Sequence, residues 1–218
     1  ESHEDFQLNT YPDKMNFILR ETTKVNPQEA EIYTFVFLWE RSRVMNKEWW
    51  ERAVQFHGHE CPGLAIGCKA CEAAMEELGF MFSADEEIVC VTENDACGVD
   101  AIQVITGCTF GKGNLIYRGT GKMAFTFFAR DLGKSLRLVF KPLPPEMDRG
   151  QRQQYILHAA VKDLFEFKHP NYQLPEKARI FNSMVCEKCG EAAAEHKMRL
   201  QDHKTVCLDC FEEYTRGW

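Results

Sequence analysis

Ten cysteines are spread over 218 residues, and four of them repeat one spacing near the C-terminus. Cys186-Glu-Lys-Cys189 and Cys207-Leu-Asp-Cys210 are separated by 17 residues, which fits a four-Cys zinc site. A CxxC turn puts two thiolates on one side of the backbone, and two such turns close a tetrahedron around one ion. Gly190 permits the turn after the first pair. His196 and His203 lie between the pairs, but four thiolates already fill the shell. Cys186, Cys189, Cys207 and Cys210 are therefore read as ligands of one structural zinc, with iron as the minor alternative. Between Cys186 and Trp218 five basic side chains face seven acidic ones. A nucleic-acid reader should be basic, so the module is read as a folding staple with a surface for protein contacts.

A second constellation is His57-Gly58-His59-Glu60-Cys61-Pro62-Gly63. Pro62 suits the first position of a helix, which makes Cys61 its N-cap. Free backbone N–H groups and the helix dipole there favour a thiolate. His57 and His59 are two apart, so an extended approach sets both on the side of Cys61. Two imidazoles and a thiolate suit zinc or another transition metal. Alternatively, Cys61 is a nucleophile with His59 as general base. The bland reading is a pair of satisfied imidazoles in a tight interhelical turn.

Further candidates follow. Asp95, Cys97 and Asp100 cluster at a strand-to-helix turn, a place where sites tend to lie. Gly107-Cys108-Thr109-Phe110-Gly111-Lys112-Gly113 is glycine-rich but lacks P-loop spacing. It is read either as a cover for a small anionic ligand, with Lys112 as clamp and Cys108 nearby, or as a plain loop connection. Cys68 and Cys71 fall inside a helix and Cys90 inside a strand, so all three are read as core.

The elements that must position these groups are legible from periodicity and breakers. Asn26 and Pro27 open a helix that runs from Ala30 to Trp39. Its Tyr33, Phe37 and Trp39 are candidates for burial against a second copy of the chain, giving a homodimer. Helices are expected over 47–56 and 64–78, the second ended by Gly79 and lined with small residues that let something pack close. A buried strand is expected over 88–92, a short helix over 99–105, and strands over 114–117, 122–129 and 135–140. A helix over 148–165 follows. Helices, then a strand meander, then a helix point to an α+β fold with a mainly antiparallel sheet. The domains read as an N-terminal extension (1–46), a core (47–167), a linker with Pro170 and Pro175 (168–182) and a zinc module (183–218).

Composition bounds the function. A hydrophobic share of 44% supports a normal core, and a net charge of −7 argues against binding to nucleic acid or anionic membrane. Apolar runs such as Phe35–Trp39 are too short to span a bilayer. Free thiols in zinc-type spacings place the chain in a reducing cytoplasm.

HGHECPG (57–63), NDACGVDAIQ (94–103) and TGCTFGKGNL (106–115), followed by the terminal CxxC…CxxC, resemble the family of the formylmethanofuran dehydrogenase E-subunit. The resemblance covers about 49–214. It implies an α+β core, an appended treble-clef zinc finger, a homodimer, and a link to molybdenum- or tungsten-dependent one-carbon metabolism of the methanogenic type. It also points to His57, His59, Cys61, Asp95, Cys97 and Cys108. Three functions fit: a metal-binding accessory to an oxidoreductase complex, a stand-alone enzyme using Cys61, or an interaction module whose only metal is structural.

Overall fold

The structure, a computed structural model, describes residues 46–217. The expected helix ending at Trp39, and the dimer contact assigned to it, lie outside the described residues. The described chain divides into two compact units between Pro175 and Glu176.

In the first unit, α1 (Lys47–His57) starts where Asn46 Oδ1 accepts the N–H groups of Glu48 and Trp49, at 3.0 and 3.4 Å. It ends at Gly58, which turns left-handed at φ 88°. Four residues later α2 (Pro62–Leu78) begins with Pro62 at its first position and Cys61 as cap. α2 is buried on nearly every side, so it is a central helix rather than an amphipathic one. Even Lys69 is fully buried, its Nζ donating to both carboxylate oxygens of Glu72 at 3.1 and 2.9 Å.

Next come β1 (Ile88–Thr92), α3 (Gly98–Thr106), β2 (Leu115–Tyr117), β3 (Ala124–Ala129) and β4 (Lys134–Phe140). α3 is the crossover that lets β2 lie parallel to β1; the remaining pairings are antiparallel, in the order β2-β1-β3-β4 and then a fifth strand, β5 (Phe165–Lys168). α2 and α3 approach closely because glycine faces glycine. A Cβ on Gly67 would sit 2.1 Å from the carbonyl oxygen of Gly98. The helix-facing side of the sheet contributes Phe125, Phe127 and Leu138 to a core shared with Leu64, Ile102 and Ile156.

The expected single helix over 148–165 is two helices and a strand: α4 (Arg149–His158), α5 (Val161–Leu164) and β5 (Phe165–Lys168). Ala159 and Ala160 are extended and break the run, and β5 pairs with β4 as a sheet edge. The strand ends at Lys168, the first residue of the expected linker. Farther along it, Tyr172 packs on Phe128 and donates from its hydroxyl to Thr126 Oγ1 at 2.8 Å, which covers the outer sheet face of Val89, Val91 and Phe128. Above that face, Glu93 takes the Arg137 guanidinium at 2.7 Å and the Thr120 hydroxyl at 2.8 Å.

The second unit carries two hairpins, β6 (Ser183–Val185) with β7 (Ala192–Ala194) and β8 (Arg199–Gln201) with β9 (Lys204–Val206), joined by a 3-10 turn at Glu195–Lys197. Residues 211–215, after the second CxxC, form neither helix nor strand. Among the described residues, no helix is long and apolar enough to cross a membrane.

Candidate metal centres

The first CxxC lies in the connection of the β6–β7 hairpin and the second follows β9; the Glu187 N–H donates to the Thr205 carbonyl at 2.9 Å and holds the two segments together. The ligand atoms of Cys186, Cys189, Cys207 and Cys210 all lie within 4.8 Å of one another. Cys189 Sγ and Cys207 Sγ are 3.9 Å apart. Zinc–sulfur bonds of ~2.3 Å set tetrahedral edges of about 3.8 Å, so the spacing is that of a four-thiolate shell. Cys186 Sγ accepts backbone N–H groups of Lys188 at 3.4 Å and Cys207 at 3.3 Å. Backbone donors, Cys189 first and Cys207 second, pull its thiol down to about 6. A thiol that ionises near neutrality is ready for a metal without a large proton cost. Neither His196 nor His203 belongs to this donor group.

The core unit holds a second group. His57, at the last turn of α1, Cys61, capping α2, and Cys97, at the start of α3, bring one nitrogen and two sulfurs within 4.8 Å of one another. His57 Nε2 lies 3.8 Å from Cys61 Sγ. Its other nitrogen, Nδ1, donates to Asp100 Oδ2 at 2.7 Å, which leaves the Nε2 lone pair facing the sulfurs. A carboxylate behind an imidazole is the arrangement that orients histidine ligands in metal sites. The Leu64 N–H donates to Cys61 Sγ at 3.3 Å, as an N-cap thiol should accept. Burial, and then the neighbouring Cys61, push the Cys97 thiol up.

Glycine clears the ground between the sulfurs. A Cβ on Gly63 would stand 3.7 Å from Cys97 Sγ and 3.9 Å from Cys61 Sγ. Above this floor opens a cleft of about 360 Å³ lined by Cys61, Pro62, Gly63, Cys97, Arg149 and Arg152. A donor set of one imidazole and two thiolates, with room for a further ligand, fits zinc or a similar transition metal.

The expected site residues divide. His57, Cys61 and Cys97 converge. Cys97, expected among ligand-binding residues, supplies the third donor in place of His59. His59 is exposed and stacks on His57 at a 4.4 Å ring distance, outside the donor group; the Gly58 turn swings it out of the extended approach that would have aligned it. Asp95 is exposed at the turn before α3, whereas its neighbour Asp100 does the positioning.

Cys108 and Lys112 both bond to backbone carbonyls beside the glycine-rich loop. Cys108 is buried, donates to the Ile88 carbonyl at 3.5 Å, and is pushed up to about 11 chiefly by burial. Lys112 Nζ donates to the carbonyls of Ser83 and Ala84 at 2.9 and 3.2 Å. The loop is organised by buried Asn114, whose amide nitrogen reaches the carbonyls of Asp85 and Ile88, each at 2.9 Å. Cys68, Cys71 and Cys90 are core residues with no exposure, and burial drives all three thiols upward. Arg149 and Arg152 are the functional candidates that sequence reading misses. Their only sequence signal is spacing three apart on a helix face that also carries Ile156.

An α+β core with a His/Cys cluster, followed by a four-Cys finger, defines a small metal-binding protein. A family model described as "FmdE, Molybdenum formylmethanofuran dehydrogenase operon" matches residues 56–179, more than half of the chain, and the chain belongs to that family. A model for the prokaryotic dksA/traR C4-type zinc finger matches residues 179–216. A "Probable S-adenosyl-L-methionine-binding protein" of Archaeoglobus fulgidus is 31% identical over 195 residues, covering 75% of this chain. The chain spans about half of that relative, 52% of its length. The crystal structure of an FmdE-like protein of the tungsten formylmethanofuran dehydrogenase type, from Syntrophus aciditrophicus, aligns with a TM-score of 0.58 and 24% identity. That alignment covers 75% of this chain and 90% of the other, and at this identity it bears on fold alone.

Proposed function

We propose that this protein is an accessory to molybdenum- or tungsten-dependent one-carbon oxidation, and that its core unit binds a transition metal through His57, Cys61 and Cys97. The observation that carries this reading is the donor triad with Asp100 on the far nitrogen of His57. Three donors from three separate helix ends, backed by an orienting carboxylate, are more than a buried turn needs. Bound there, the metal would supply Lewis acidity beside the cleft. The chain's own groups hold the metal, fix the imidazole and shape the cleft. The family's description, which names a molybdenum formylmethanofuran dehydrogenase operon, supports the metabolic setting; a homodimer and contact with an oxidoreductase complex belong to the same proposal. Zinc in the C-terminal module is structural.

Cobalt(II) reconstitution tests the reading. After one equivalent of zinc has filled the four-Cys module, cobalt should give thiolate charge-transfer absorption from the core, absent in Cys97→Ala. Identical cobalt spectra for the parent and Cys97→Ala would refute it. A second reading rests on the line Cys61–His57–Asp100, with distances of 3.8 and 2.7 Å. It makes Cys61 a nucleophile and His57, rather than His59, its base. That reading requires rapid alkylation of Cys61 in metal-free protein that slows when His57 is replaced by Ala.

A further inference from the structure

We infer that Arg149 and Arg152 form an oxyanion clamp over the core metal site, so that the ligand taken there is a small molecule carrying a carboxylate or phosphoryl group. This rests on the metal reading above and adds the ligand class.

Charge accounting motivates the assignment. A divalent ion with two thiolates and a neutral imidazole is neutral as a unit, and Asp100 beside His57 adds a negative charge. Such a centre has no net attraction for an anion. The cleft above it, however, is lined by two arginines. Arginine presents a planar fork matched to carboxylate and phosphoryl oxygens. An anionic group on the arginines, with a second donor on the same molecule completing the metal shell, satisfies both halves of the cleft. A volume of about 360 Å³ lies at the small end of ligand pockets.

The start of the helix and the Arg152 side chain are held in place. Asp148 and Gln151 form a capping box that fixes the first turn of α4, where Arg149 sits. Arg152 Nε donates to the Met147 carbonyl at 3.0 Å, and one terminal nitrogen to the Pro145 carbonyl at 3.2 Å. These bonds orient the guanidinium and leave its other terminal nitrogen for a ligand. Gln153 then ties α4 to the metal-binding loop, its amide donating to Glu60 Oε2 at 2.9 Å. Ile156, one turn on, is buried in the core. Arg149, Arg152, Gln153 and Ile156 share one helical face, so the packing that buries Ile156 turns the face that carries both arginines toward the core. Lys112, the clamp suggested by the sequence, is occupied with the carbonyls of Ser83 and Ala84.

The test uses the full chain with zinc in the C-terminal module and cobalt in the core, titrated with propionate in one arm and methylphosphonate in the other. At least one should perturb the cobalt spectrum saturably at millimolar concentration, and the stronger arm tells a carboxylate from a phosphoryl ligand. Arg149→Ala/Arg152→Ala should keep both metals and lose that affinity at least tenfold. Equal affinity in the parent and the double variant, or no response to either anion, overturns the clamp while leaving the metal reading standing. If the core takes up no cobalt, the metal reading fails. Calorimetry of the same two anions on the metal-free core then decides the clamp, a tenfold loss in the double variant supporting it and equal binding overturning it.

Discussion

Asp100 Oδ2 accepts a hydrogen bond from His57 Nδ1 at 2.7 Å, across 43 residues of sequence. The carboxylate can only accept, so the ring proton is assigned to Nδ1 and Nε2 is left as the donor atom facing Cys61 and Cys97. That one contact joins α1 to α3 and decides the tautomer on which a metal site depends.

Asp100→Asn keeps the shape and removes the charge. The variant should fold as the parent does and lower metal affinity at the core site roughly 10- to 100-fold, while zinc in the C-terminal module is unaffected. Competition against a graded chelator measures both sites. Unchanged core affinity would reduce Asp100 to a bystander.

Gly67→Ala attacks the platform instead. The added methyl meets the Gly98 carbonyl at 2.1 Å, where only backbone movement can relieve the clash. Destabilisation of about 3 kcal/mol or more is expected, at or above the usual range for overpacking. α2 and α3 must separate, so Cys61 and Cys97 lose register and core metal binding falls as well. Thermal unfolding together with metal content checks both effects.

This contact also marks the limit of what the sequence conveys. Local chemistry was legible. Pro62 with Cys61 before it announces a helix start and an N-cap thiol, and two CxxC turns announce a zinc site. Gly58, Gly79 and Gly107 mark the ends of α1, α2 and α3, where each turns left-handed. What stayed hidden depends on docking. Cys97 joins His57 and Cys61 only because Gly63, Gly67 and Gly98 let two helices touch. His59 carries the right chemistry and falls outside the donor group because of a single glycine turn. Lys112 reads as a free cation until the carbonyls of Ser83 and Ala84 are seen to hold it. β5 was missed at the seam between the expected helix and the linker, because a four-residue strand shows its period only when β4 supplies a partner.

The zinc module should stand apart from the core. Cys207→Ser removes a buried ligand and leaves three thiolates. Structural zinc in isolated fingers is worth roughly 10–16 kcal/mol of folding free energy, far more than a module of this size supplies by burial. Limited proteolysis should digest residues 176–218 of the variant and spare the core fragment. Loss of both parts together would mean that the units do not fold independently.

Acid stability should report on Glu93. The Arg137 hydrogen bond, opposed by partial burial and aided by Thr120, holds its carboxyl below the usual 4.5. A depressed folded value means that the stabilisation is full above the ordinary carboxylate range and is lost as pH falls through the folded value. The parent should therefore be more stable than Glu93→Gln at pH 7, and the difference should shrink as pH falls below about 4.5. A difference that stays constant from pH 7 to pH 3 would contradict this.

The most direct test of the account is a count of metal ions per chain. Full-length protein purified without chelator or polyhistidine tag, analysed by elemental mass spectrometry, should hold two equivalents of transition metal, at least one of them zinc. Cys61→Ala should hold one. One equivalent in both proteins would leave His57, Cys61 and Cys97 a structural turn and contradict the core metal site.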